Sequence, residues 1–162
     1  MKYEQLSLFE DSRLTKEPPY LLISVKEPWV KKILDGEKKY EYRRIFIEES
    51  SRVFIYASGK IKGICAFAEF EKPIIGTVEE IALINAKDVN PNRDGIYRYF
   101  GNRKKCFAIP IKNYQRMETI SLDDLRLNFD KFSPPQSYIY LKNKPKLLDF
   151  LLKAKKVSRN KF

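Results

Sequence analysis

Two apolar runs, RVFIYA at 52–57 and KGICAFAEF at 62–70, stand so close that little more than a turn at Ser58-Gly59-Lys60 separates them. Such a pair reads as two buried strands and commits the chain to a sheet-based core. What surrounds the pair decides which kind of core. LLISVK at 21–26 makes a strand before it. A short helix follows, with Pro28 suited to its first turn and Gly36 to the left-handed position past its end. Trp29, Val30, Ile33 and Leu34 share one face of that helix, leaving Lys31, Lys32 and Asp35 to water. KKYEYRR at 38–44 is a strand by its tyrosines and its alternation. Beyond the pair, Thr77-Val78-Glu79-Glu80 is a capping box opening a helix through Ile84, with Glu79 and Asp124 assigned to helix starts. Residues 93–100 read as another short helix, stopped at Gly101. Residues 104–117 form a long strand with an irregularity at Pro110. Ser121 caps one more helical turn, SYIYL at 137–141 is a last strand, and Leu147, Leu148, Leu151 and Leu152 mark an amphipathic C-terminal helix. Strands interrupted by short helices, without βαβ regularity, predict an α+β fold. The architecture expected is a small mixed β-barrel of five or six strands with short peripheral helices and a C-terminal helix.

A chain of 162 residues, 43% apolar, supplies one core rather than two. Residues 1–19 read as an extended tail ending at Pro18-Pro19, residues 20–142 as the folded domain, and residues 143–162 as a basic helix and tail. No run approaches the length of a membrane span, and the N-terminus lacks the basic-then-apolar order of a signal peptide. Cys65 and Cys106 lie far apart within apolar runs, so they read as buried free thiols in a reducing compartment, which points to the cytoplasm. The chain has no histidine. That excludes a Ser-His-Asp triad, a His-paired ribonuclease mechanism and an HExxH zinc site. Any acid–base chemistry falls to Lys, Glu, Asp, Tyr or Cys, and neither a metal site nor a cofactor is expected. The formal charge of +11 is uneven: residues 1–19 carry −1 and residues 142–162 carry +7. A basic surface favours a nucleic-acid partner through phosphate neutralisation, the bland alternative being a solubilising excess of charge.

The candidate chemistry is concentrated in Gly36-Glu37-Lys38-Lys39-Tyr40-Glu41-Tyr42-Arg43. On a strand alternate side chains share a face, so Glu41 and Arg43 point the same way and Lys39 joins them. Glu41 can hold the Arg43 guanidinium in place and leave its other donors free for a phosphate or a base edge. Lys38 sits just past the turn, where an ammonium can project into a cleft. The bland reading is a surface ion pair worth at most about 1 kcal/mol.

This segment resembles the signature of the ASCH family, G-x-K-x-x-E-x-R, with Gly36, Lys38, Glu41 and Arg43 at its fixed positions. The preceding helix PWVKKILDG is similar to that family's, as are YASG (56–59), EFEKPIIGTVEEI (69–81), YRYFGNRKKCFAIPI (97–111) and PPQSYIYL (134–141). The resemblance implies a PUA-like barrel and a nucleotide- or RNA-binding cleft lined by the motif residues. One bacterial branch of the family hydrolyses N4-acetylcytidine with a lysine, a threonine and a distant glutamate. The lysine falls at Lys38, but the threonine position falls at Glu41, which has no hydroxyl nucleophile, and this counts against the same covalent chemistry. A Lys38/Glu41 acid–base pair stays open, as does the ribonuclease activity that the resemblance also implies.

Further candidates are Lys26, and Ser58 with Lys60 as a phosphate-contacting turn whose alternative is an ordinary hairpin. Gln136 and Ser137 follow two prolines and are held rigidly enough to read a base. Tyr97, Tyr99 and Phe100 interleave with Arg98, Arg103, Lys104 and Lys105, either to stack bases or to pack a helix on the barrel. Gln5-Leu6-Ser7-Leu8-Phe9 resembles the pentapeptide by which bacterial and phage replication and repair proteins bind the sliding clamp. In that reading Leu8 and Phe9 fill an apolar pocket and Gln5, beside Leu6, hydrogen-bonds at its rim; in the other, the segment packs on the barrel. The leading expectation is a non-catalytic module that binds RNA or a nucleotide, with DNA as a further partner and no membrane. The alternatives are a histidine-free hydrolase acting on a nucleoside or RNA, and an accessory protein tethered to the clamp.

Overall fold

A computed structural model describes residues 17–160. Seven strands form one mixed sheet: β1 (Tyr20–Lys26), β2 (Tyr40–Arg43), β3 (Ser51–Ser58), β4 (Gly63–Phe70), β5 (Ile74–Gly76), β6 (Cys106–Ser121) and β7 (Tyr138–Tyr140). Their spatial order is β2-β6-β4-β3-β1-β7, with β5 also pairing β6. β1 and β3 run parallel, from Tyr20 opposite Arg52 to Lys26 opposite Ser58, while every other pair is antiparallel. The helices are α1 (Glu27–Leu34), α2 (Val78–Asn85), α3 (Arg93–Phe100), α4 (Leu122–Asn128) and α5 (Pro145–Arg159), with a 3-10 turn at Leu141–Asn143.

The long strand β6 organises the sheet. Its first residues pair with β2 on one side and β5 on the other, and from Ile111 onward it pairs with β4. Pro110 sits where the partners change, and its carbonyl accepts the Glu71 N–H at 2.9 Å. A residue without an N–H is tolerated at such an irregularity. The sheet curls, so that β2 at one end of the strand order comes back toward β1 and β7 at the other. Side chains, not ladder bonds, close this seam. Phe46 meets Tyr138 edge-on at 5.3 Å, and Arg43 Nη2 donates to the Ser24 carbonyl at 2.7 Å. The result is the expected α+β half-barrel.

β1 and β3 are buried on both faces, which explains their nearly continuous apolar sequences. Leu21, Ile23, Val53 and Ile55 join Val30 and Ile33 of α1 on one face. Leu22 and Phe54 turn to the other, under Leu147 and Leu151 of α5. Each such side chain contributes roughly 1.5–3 kcal/mol on burial. A third cluster packs Val78, Ile81, Ile96 and Phe100 of α2 and α3 on β6. The capping box of α2 is formed by Thr77 and Glu80, so it is Glu80 rather than Glu79 that closes it. α5 belongs to the folded body: Gln115 Nε2 donates to the Lys155 carbonyl at 3.2 Å, and Ser158 Oγ accepts the Glu118 N–H at 3.0 Å.

Three expectations need correction. β5, only three residues long and behind Pro73, carries too little pattern to be read and was not foreseen. β2 begins at Tyr40, so the alternation expected from residue 38 does not reach back to the motif lysines. In α1, Val30 and Ile33 face the core, but Trp29 lies at the margin, 39% exposed, with Lys32 half-buried against it. Among the described residues no helix is long and apolar enough to cross a membrane.

Candidate functional site

The motif residues converge on the seam. α1 ends with Gly36 in the left-handed region (φ 74°), which lets the N–H groups of Glu37 and Lys38 both return to the Lys32 carbonyl at 3.0 Å. A Cβ at Gly36 would also come within 2.7 Å of the Tyr114 hydroxyl oxygen, so glycine is required twice over. The turn it permits delivers Lys38 to the start of β2, on the side where Glu41 and Arg43 project.

There the three charges form one group. Lys38 Nζ lies 3.9 Å from Glu41 Oε2, and Arg43 Nε lies 3.3 Å from Glu41 Oε1, with all three side chains nearly buried. Glu41 as a residue is only 8% exposed. This is not the surface ion pair of the bland reading. Lys39, expected to join the group, is exposed, and its carbonyl serves the sheet by accepting the Ile111 N–H at 2.9 Å. The group is electrostatically paired yet short of hydrogen bonds: Glu41 Oε2 and Arg43 Nε are buried without a hydrogen-bond partner. Buried polar atoms are nearly always hydrogen-bonded, so two exceptions on neighbouring side chains single this group out as a candidate ligand site.

Aromatic rings surround the ammonium. Lys38 Nζ lies 4.9 Å from the centroid of Tyr42 and 5.4 Å from that of Trp29, while Lys32 Nζ lies 5.1 Å from Trp29. Tyr42 is fixed in turn. Its hydroxyl donates to Asp88 Oδ2 and accepts from Asn85 Nδ2, both at 3.3 Å. Burial, aided by the Asp88 carboxylate, pushes the Tyr42 phenol well above its ordinary range, and it stays protonated. Asn85 Oδ1 also accepts the Asn92 N–H at 2.8 Å, which pins the loop after α2 beside the motif.

On the far side of the seam, Arg43 holds the Ser24 carbonyl, and Ser24 Oγ donates to the Pro135 carbonyl at 2.6 Å. This brings the loop carrying Gln136, exposed, and Ser137, half-buried, to the edge of the group. Lys26, Ser58 and Lys60 are less closely drawn in. Lys26 is exposed at the end of β1, opposite Ser58. Ser58 Oγ reaches the Val25 carbonyl at 3.5 Å, and the Lys60 N–H donates to Glu27 Oε2 at 3.2 Å. These contacts tie that turn to β1 and α1 rather than to Lys38, Glu41 and Arg43. Phe100 packs a helix on the sheet, while Tyr99 carries the Arg44 guanidinium 4.5 Å from its ring centroid. Residues 5–9, with Gln5, Leu6, Leu8 and Phe9, lie outside the described residues. Two surface hollows, of about 400 and 600 Å³, open near Pro18 and Arg52 at the other end of β1 and β3. They hold none of the motif residues, and the seam is singled out by its unsatisfied charged groups, not by its depth.

The fold has a solved counterpart. The crystal structure of ASCH from Zymomonas mobilis is similar to this chain with a TM-score of 0.71 and 27% sequence identity, covering 82% of this chain and 96% of that one. In sequence and in fold the chain resembles the ASCH domain family. A serine-to-alanine mutant of the same protein matches with a TM-score of 0.71, 26% identity and the same coverage. Among curated proteins, an ASCH domain-containing ribonuclease from Zymomonas mobilis subsp. mobilis is 28% identical over 123 residues, which is 75% of this chain and 83% of the relative. No protein-family model matches the sequence. In this chain the motif residues Lys38, Glu41 and Arg43 sit together at the seam, whereas Trp29 and Tyr42, which frame them, are not singled out by the sequence. The one available signal for them was position: Trp29 stands two residues into α1, and Tyr42 lies between the two charged residues of β2.

Proposed function

We propose that this ASCH-like domain binds RNA at the seam, with Lys38 and Arg43 meeting phosphate and Glu41 holding both cations in register. The observation that carries the reading is the buried Lys38–Glu41–Arg43 group, in which Glu41 Oε2 and Arg43 Nε are ion-paired but make no hydrogen bond. Burying three charges costs several kcal/mol each before pairing returns any of it, so stability alone gives little reason to keep them. An RNA strand supplies the complement: a phosphate anion for the two cations, and a ribose 2′-hydroxyl as donor to the carboxylate. The ribonuclease name of the relative supports RNA as the partner. The test is anisotropy of a labelled single-stranded RNA titrated with protein at rising salt. Binding that weakens with salt and falls at least about ten-fold in Lys38→Ala and Arg43→Ala is the expected result. Salt-independent binding, or binding indifferent to both substitutions, would overturn it.

A second reading, cleavage of the bound RNA, is favoured by the same relative and by the 3.9 Å approach of Lys38 to Glu41. In it the Glu41 carboxylate takes the proton of a ribose 2′-hydroxyl as that oxygen attacks phosphorus. The Lys38 ammonium returns a proton to the departing 5′-oxygen, and Arg43 stabilises the charge on the phosphoryl oxygens. The products would be a 2′,3′-cyclic phosphate and a 5′-hydroxyl. Intact RNA after prolonged incubation with saturating protein would remove this reading and leave the first standing.

A further inference from the structure

We propose that Trp29 is a stacking platform for a nucleobase whose phosphate is taken by Lys32 and Lys38, so that the site receives single-stranded and not paired RNA. The inference rests on the reading of the seam as an RNA site and goes beyond it in naming the form of RNA.

Trp29 is the sole tryptophan of the chain, and it lies in the first turn of a core-packed helix. Its neighbour Val30 and Ile33 one turn on are fully buried, yet the indole is left 39% exposed. What the indole contacts instead is charge: two ammonium groups within 5.4 Å of the ring centroid. One of them, Lys38, is the cation whose partner carboxylate carries the Oε2 that makes no hydrogen bond. Aromatic face, paired cations and an unfilled buried acceptor therefore occur side by side. A nucleotide presents the matching three parts: a flat π-face, a phosphate, and sugar or base donors. A base inside a duplex has both faces covered by its neighbours and cannot lie on an indole, which is why the platform selects an unpaired strand.

Because Trp29 is the sole tryptophan, its emission reports the site directly. The experiment titrates the full chain with a single-stranded RNA decamer, with the same decamer annealed to its complement, and with inorganic polyphosphate, following tryptophan emission. Binding of labelled RNA to Trp29→Ala and Trp29→Phe is measured in parallel. Quenching by the single strand but not by polyphosphate is expected, with weaker binding of the duplex. Affinity should fall at least about five-fold in Trp29→Ala and recover to within about two-fold of the wild type in Trp29→Phe. RNA binding with unchanged emission and an unaffected Trp29→Ala, while Lys38→Ala still loses affinity, would overturn the platform and leave the seam reading intact. Equal quenching by polyphosphate, or tighter binding of the duplex, would also overturn it. Absence of any RNA binding by the wild type would overturn both.

Discussion

The two faces of the sheet bury their residues on different terms. Under α5, Leu22, Phe54, Leu147 and Leu151 belong to one buried apolar cluster, and sequence periodicity, burial and packing agree. At the seam, Lys38, Glu41 and Arg43 are buried against the preference of every one of them, with two polar atoms making no hydrogen bond. Where local preference and tertiary position agree, the residues are explained by the fold. Where they conflict, the conflict needs a cause outside the fold. The comparison assigns α5 to stability and the seam to a ligand, and each assignment can be attacked separately.

The largest effect is expected under α5. Phe54→Ala removes a fully buried ring that packs on Phe67 at 5.0 Å, and should cost about 3–5 kcal/mol in denaturant unfolding. The RNA affinity of the molecules that stay folded should be unchanged. An intact stability would mean that this face is not the core described. Next comes Glu41→Ala, which strands two buried cations; a loss of about 3 kcal/mol is expected, together with loss of RNA binding. Glu41→Gln, which keeps the shape, should be milder in stability but still defective in binding, and equal binding by both variants and the wild type would sever Glu41 from the site.

Tyr42→Phe should cost about 1 kcal/mol at neutral pH, since Asn85 and Asp88 each lose a partner. Its pH dependence is more telling. The folded phenol is pushed above the ordinary value of 10.0, so above that pH the unfolded chain releases this proton before the folded one does. Stability therefore falls as pH rises past about 10, and Tyr42→Phe should show a shallower fall in melting temperature there. Identical slopes would show that the phenol is not held as described. The smallest effect belongs to Lys31→Ala, which breaks an exposed pair with Glu27 at 3.3 Å and should change stability by less than about 0.5 kcal/mol, with no change in binding.

Much of this was legible in the sequence, for physical reasons that also mark the limit. The strand pair around Ser58-Gly59-Lys60, the capping box at Thr77 and the leucines of α5 each carry their own local signal, and those elements stand where that signal puts them. Gly36, Lys38, Glu41 and Arg43 could be picked out because a turn and a charged strand follow one another in sequence. That Lys38 and not Lys39 meets Glu41 could not be read, because it depends on where β2 begins, which its pairing with β6 decides. Trp29 was placed in the core because a helical face is a broad stripe, and only the angle at which α1 docks decides which residue falls at its margin. The link from Arg43 to Ser24, and from Ser24 to Pro135, spans 19 and then 111 positions and has no local signature at all.

The central claim is that the charges of the seam are kept for a ligand and not for the fold. Denaturant unfolding of the Lys38→Met/Glu41→Leu/Arg43→Met variant, with and without single-stranded RNA, tests it most directly. Without RNA the variant should be as stable as the wild type or more so, by up to about 4 kcal/mol. RNA should raise the stability of the wild type, by mass action, and leave the variant unmoved. A variant markedly less stable without RNA, or one stabilised by RNA as much as the wild type, would contradict the account.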